Sequence, residues 1–177
     1  MNKSLTKFPT SLLLLISLLS LPACNQMTAF QAVTETAGAG DVYRADSKVN
    51  ALIPAGATIE KLAGGFAFTE GPVWHQRLKH LMFSDLRSNA IHLWDEENGL
   101  RTFMDPVFEG ESDSSSVGSN GLNINAESLL ILLEHGNRRV SRQERDGSIT
   151  TLADNYQGKR LNSPNDSAWH SDGSLYF

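Results

Sequence analysis

The chain has 177 residues, 40% hydrophobic and 20% charged, with a formal net charge of −5, the profile of an ordinary globular protein of about one domain. Its 15 basic groups against 20 acidic ones leave no cationic surplus for nucleic acid, and 14 Gly with 6 Pro exclude collagen-like and low-complexity classes. One Cys excludes an intrachain disulfide framework and any multi-cysteine metal site.

Residues 1–7 carry Lys3 and Lys7 and no acid, and 11–21 (SLLLLISLLSL) is almost wholly apolar. A spanning helix needs roughly 20 apolar residues, so this run is short for an anchor. A basic start, a short apolar core and a small-residue exit read instead as an export signal over 1–23. Leu21-Pro22-Ala23-Cys24 resembles a bacterial lipobox, in which Cys24 becomes the lipidated first residue. Pro22 departs from that pattern, and ordinary cleavage near Ala29-Phe30-Gln31-Ala32 is the other reading. The expectation is an exported protein, either periplasmic or tethered to the membrane through a lipid on Cys24; incorporation of a palmitate analogue distinguishes the two. Residues 24–50, rich in Ala, Thr and Gly, read as a linker.

From residue 51 onward, short β-type runs replace helical periodicity. They are 79–84, 90–94, 129–133, 139–142 and 148–152, with turn signals at Glu97-Asn98-Gly99 and Asp146-Gly147 between them. Many short strands with regular turns predict an all-β fold. The runs recur as a unit that opens at Gly71-Pro72-Val73-Trp74, again at Asn120-Gly121-Leu122 and again at Asn165-Asp166. The offsets are about 49 and about 45 residues, the period of four-stranded β-propeller blades. Trp74 and Trp169, near blade starts, read as inter-blade packing. About 127 residues remain after signal and linker, under three blades, whereas a propeller closes with about four to eight. The sequence stops inside a strand pattern at Phe177, and the expectation is the N-terminal part of a longer protein.

Three stretches resemble the gluconolactonase and senescence-marker-protein (regucalcin-like) family: Phe68-Thr69-Glu70-Gly71-Pro72-Val73-Trp74, residues 134–142 (EHGNRRVSR) and residues 158–166 (GKRLNSPND). The resemblance covers roughly residues 60–177. It implies a six-bladed β-propeller, of which 51–177 supplies about the first two and a half blades. It also implies one divalent cation, most likely Ca²⁺, at the top of the central channel, and hydrolysis of a sugar lactone such as gluconolactone. Related propellers hydrolyse organophosphates, so phosphotriester or other ester hydrolysis is an alternative, and a non-catalytic sugar- or cation-binding propeller is another.

Carried over residue by residue, the resemblance makes Glu70 a metal ligand and Asn165 a metal- or substrate-contacting residue, with another Asn and an Asp of the family's set belonging to later blades. That gap implies that this length alone is inactive. Ca²⁺ takes six to eight oxygens and mixes carboxylates with neutral carbonyls, and one Glu with Asn amides suits it. Asn120, Asn162 and Asp166 are candidate substrate contacts, each set against a turn role, since Asn and Asp favour turns. Arg160 has the same two readings. His135 is a candidate general base because imidazole titrates near neutrality, or else a strand-end residue bonding Arg138 or Arg139. No phosphate-cradling Gly-rich loop and no Ser-His-Asp order appear. The expected partner is a small-molecule lactone, with no nucleic acid, and with membrane contact only through a lipid on Cys24.

Overall fold

The computed structural model describes residues 40 and 42–177. The export signal, Cys24 and the larger part of the 24–50 linker lie outside the described residues. The end of that linker is ordered: a 3₁₀ turn over Ser47–Ala51 is capped by Asp46, whose Oδ1 accepts from Lys48 N–H at 2.7 Å. The Arg44 guanidinium donates to the carbonyls of Ile53 and Pro54 at 2.8 and 2.6 Å and gathers this turn onto itself. Among the described residues no helix is long and apolar enough to cross a membrane.

Regular structure is otherwise all β. Strands β1 (Thr69–His75), β2 (His80–Asp85), β3 (Ala90–Asp95) and β4 (Gly99–Met104) form one antiparallel sheet in sequential order. A second sheet repeats the plan with β5 (Ser119–Ile124), β6 (Leu130–Glu134), β7 (Arg139–Gln143) and β8 (Ile149–Ala153). A short hairpin of β9 (Asn155–Tyr156) and β10 (Lys159–Arg160) follows, and β11 (Ala168–Trp169) with β12 (Leu175–Tyr176) begins a third sheet. The five runs expected from sequence all fall on strands of the two complete sheets. Gly99 and Gly147 close the expected turns with positive φ, where a side chain would be strained.

Side-chain alternation explains how the sheets stack. Met82 on β2 faces Leu93 on β3 across the ladder, and these two join Ile91, Leu122, Leu130 and Leu132 in one buried cluster between the first two blades. Residues one step along point the other way: Phe83 and His92, also cross-strand partners, stack with Phe66 on the outer face. On β6 the same alternation sends Ile131 and Leu133, with Val140 of β7, toward the third sheet, where they meet Leu175. β6 is buried throughout, as a strand covered on both faces must be. Face-to-face stacking of four-stranded sheets in chain order is the propeller arrangement, present here as two blades and the beginning of a third.

Candidate site at the blade openings

The innermost strands β1 and β5 each carry one extra residue opposite their neighbour. Pairing slips between Glu70 and Val73 on β1 and between Ser119 and Leu122 on β5. Such bulges bend the strand and re-aim its side chains. Asp85 pairs with Thr69, and Glu134 with Ser119; both acids also begin the turn to the next strand, opposite Ala90 and Arg139. This register superposes Thr69 on Ser119, and therefore Glu70 on Asn120 and Gly71 on Gly121. The repeat is thus one residue longer than the motif alignment of Gly71 with Asn120.

Two glycines seat the blades against each other at this level. A Cβ on Gly71 would lie 2.3 Å from the Asn120 carbonyl oxygen and 2.9 Å from Gly121 Cα. A Cβ on Gly121 would lie 2.7 Å from the Asn165 carbonyl oxygen and 3.0 Å from Asp166 Cα. Backbones this close exclude any side chain, and Gly121 N–H donates to the Asn165 carbonyl at 2.7 Å. The same step from blade to blade equates Asn120 with Asn165. Glu70, Asn120 and Asn165 therefore stand at equivalent points where three successive sheets open, Asn165 lying ahead of β11 rather than on a strand. Behind them Ser84 and Ser119, both buried, share an Oγ–Oγ hydrogen bond of 2.7 Å.

The chemistry of these side chains is unusual for their burial. Glu70 is half-buried beside Phe66, Pro72 and Phe83, yet among the described residues its carboxylate accepts no hydrogen bond and forms no ion pair. Asn120 is 5% exposed, and its side-chain amide likewise has no protein partner among the described residues. Among the described residues no group of three or more His, Cys, Asp or Glu side chains is placed to hold a metal. A cation at this level would be held by one carboxylate with neutral amide oxygens, a donor set suited to Ca²⁺.

The other candidates separate. Asn165 and Asp166 are exposed, and Asp166 Oδ1 accepts from Ser167 N–H at 2.8 Å, a local turn bond. Asn162 is exposed, and no hydrogen bond among the described residues holds its side chain. The structure does not tie it to the other candidates. Arg160 donates to the carbonyls of Gly136 and Asn137 at 3.4 and 3.3 Å, which props the β6–β7 turn.

His135 opens that turn, at the same end of the sheets as Glu70, because β6 ends where β5 begins. Its backbone N–H donates to the Gly118 carbonyl at 3.0 Å. The expected bond to Arg138 is made through the backbone, Arg138 N–H donating to the His135 carbonyl at 3.2 Å, while the Arg139 side chain donates to Glu134 at 2.8 Å. Burial lowers the imidazole pKa, and the Ser116 carbonyl pulls weakly the other way. Nε2 is buried without a partner among the described residues.

Sequence reasoning passed over three supports of this end. Asp85, 2% exposed, accepts from the N–H groups of Ala67 and Phe68 at 2.9 and 2.8 Å and from Ser88 Oγ at 2.7 Å, which fixes the segment leading into Glu70. Glu134, 1% exposed, accepts from Asn137, Arg139 and Ser141 and holds the His135 turn. Phe108 lies flat on Gly136, where a Cβ would stand 2.4 Å from the ring, and the Asn89 side chain clamps the Phe108 backbone at 2.8 and 3.0 Å. Only the chain-reversing position of Asp85 and Glu134, each the last residue of a strand, hinted at the first two.

A gluconolactonase of Zymomonas mobilis subsp. mobilis is 29% identical over 168 residues, covering 85% of this chain and 47% of its own length. The chain thus spans about half of that curated relative. The solved structure of a Xanthomonas campestris gluconolactonase superposes with a TM-score of 0.65 at 29% identity, over 78% of this chain and 43% of that one. A structure provisionally described as a gluconolactonase gives a TM-score of 0.62 at 40% identity, over 71% and 41%. The sequence profile of the SMP-30/gluconolactonase/LRE-like region matches residues 68–177. That span takes in both blades, the bulged Glu70 and Asn120 positions and the Asn165 that follows them, and the chain belongs to the SMP-30/gluconolactonase/LRE-like family.

Proposed function

We propose that this chain supplies the first blades of an exported, Ca²⁺-dependent hydrolase that opens a sugar lactone such as gluconolactone. The observation that carries the proposal is the partnerless Glu70 carboxylate, in structural register with Asn120 and Asn165 at one end of the blades. The relatives named gluconolactonase support the substrate class.

Glu70 supplies the charge of the site and Asn165 a neutral oxygen. When bound, the cation polarises the lactone carbonyl and acidifies water. His135, kept neutral by burial, is the acceptor of a proton from the attacking water. Asn162 and Asp166 belong to the substrate side of the proposal.

The test is Glu70→Gln in the full chain. The substitution keeps the shape and removes the charge, and it is expected to lower lactone turnover by about 100-fold or more, as loss of a principal electrostatic group does. Undiminished turnover of glucono-δ-lactone, with and without a chelator, would remove both Glu70 and the cation from the reaction.

A further inference from the structure

One aromatic ring stands at the His135 end of the blades where the backbone has made room for it. A Cβ on Gly136 would lie 2.4 Å from Phe108 Cγ, and a Cβ on Gly110 would lie 2.4 Å from Phe108 Cζ. At both positions the three nearest atoms that an added Cβ would meet belong to the Phe108 ring. Neither glycine has a positive φ, so neither position needs glycine for its backbone conformation. The ring is what excludes a side chain from both, and Gly136 directly follows His135.

The ring is held in place from the first blade. Asn89, in the turn between β2 and β3, accepts from Phe108 N–H on Oδ1 at 3.0 Å and donates from Nδ2 to the Phe108 carbonyl at 2.8 Å. Its own carbonyl accepts from Val107 N–H at 3.0 Å. These bonds fix the backbone that carries the ring, and Asn tolerates the left-handed φ of 59° at which Asn89 stands. The turn against the ring is bound from another side: His135 and Gly136 donate their N–H groups to the carbonyls of Gly118 and Val117 at 3.0 and 2.9 Å. Glu134 is engaged with Asn137, Arg139 and Ser141, and Arg160 with the Gly136 and Asn137 carbonyls. Burial is the principal influence on the His135 imidazole, opposed by the Ser116 carbonyl.

We propose that Phe108 is a positioning residue for the reaction proposed above: its ring, locked by Asn89 and seated against Gly136, sets where the His135 turn stands and so where the imidazole meets the attacking water. The proposal rests on the reading of His135 as the proton acceptor. It accounts for two glycines whose φ does not demand them, and for a clamp on a segment that lies outside every strand. Removing the ring lets the turn move and admits water to the imidazole, whose protonation then approaches that of a solvated histidine.

The experiment follows the His135 ring by NMR titration of the full chain without substrate, beside the pH dependence of kcat/KM for glucono-δ-lactone. Phe108→Ala is expected to move the His135 midpoint up toward the ordinary imidazole value of about 6.5, and the acid limb of kcat/KM with it. It is also expected to lower kcat about tenfold or more, as misplacing a catalytic group does. Asn89→Gly, which suits the positive φ and removes the side-chain clamp, should move both in the same direction. Phe108→Leu, which keeps apolar bulk against Gly136, should fall between. If Phe108→Ala fails to fold, as judged by circular dichroism, Asn89→Gly decides alone. Lost stability with midpoint and profile unmoved is the outcome of a merely structural role and overturns the proposal. An unmoved midpoint beside lost turnover in His135→Gln overturns the role of Phe108 and leaves the proposed function standing. Full turnover by His135→Gln overturns the acceptor reading, and the role of Phe108 with it.

Discussion

A titratable side chain can serve a reaction only in the protonation state its surroundings favour, and His135 is held neutral. Burial lowers its pKa below the ordinary imidazole value, the Ser116 carbonyl offsetting part of that effect. The neutral ring is therefore favoured in the folded protein at pH 7. Its contribution to stability is complete above the unfolded value of about 6.5 and is lost as pH falls through the lower folded value. The same protonation would remove the ring's basic lone pair. Lactone hydrolysis is accordingly expected to decline on the acid side of that folded value, and His135→Gln to lower kcat/KM by about 100-fold while flattening the acid limb. An unaltered pH–rate profile in the variant would return His135 to a structural role. Sequence carried the suspicion of His135 but not of Ser116, which lies outside every strand, between β4 and β5.

Strands expose how far local pattern reaches. The alternation that puts Met82 and Leu93 on one face and Phe83 and His92 on the other is written in the sequence, as are the turns at Gly99 and Gly147. The bulges are not, because an extra residue on one strand is defined only by its partner across the ladder. That is why the motif alignment misses the register by one residue and sets Asn120 against Gly71 instead of Glu70. Asp85 shows the same limit. Its carboxylate works across 17 and 18 residues of sequence, on Phe68 and Ala67. Burial opposes its charge, but the donated bonds of Ala67, Ser88 and Phe68 prevail and hold its pKa below the usual carboxylate range. The stability this adds is present above the unfolded value of about 3.9 and is lost as pH falls through the lower folded value. Asp85→Asn is expected to cost about 1–3 kcal/mol at pH 7, since one amide cannot accept every bond the carboxylate does. The deficit should shrink toward zero in acid. Chemical denaturation at pH 7 and in strong acid checks this, and an equal deficit at both would mean that the charge of Asp85 is irrelevant.

At the scale of the whole molecule, the two blades are finished toward each other and open on the outside. Sequence placed Trp74 and Trp169 between blades, but they are 47% and 39% exposed, because no neighbouring sheet covers them among the described residues. Trp74, Trp94 and Leu78 border an open cleft of about 760 Å³ on the first blade, and Phe66, Phe83 and Leu81 border another of about 410 Å³. Both belong to the face that the Met82 side of β2 turns away from. Apolar faces of this extent, rimmed by charged residues such as Glu96 and Arg101, mark surfaces that bury against another sheet. Outer strands β4 and β8 add unpaired backbone groups at the sheet edges, which recruit further strands. A polypeptide of these 177 residues expressed by itself is therefore expected to self-associate at micromolar concentration, visible as species larger than monomer in sedimentation velocity. Replacing Trp74 and Trp94 together by Glu should shift the population toward monomer, while the same exchange at exposed, loop-borne Tyr43 should not. A monodisperse wild-type monomer would show that the open face is tolerated in water, and that closure of the ring contributes less to this fold than the buried seam between its first two blades.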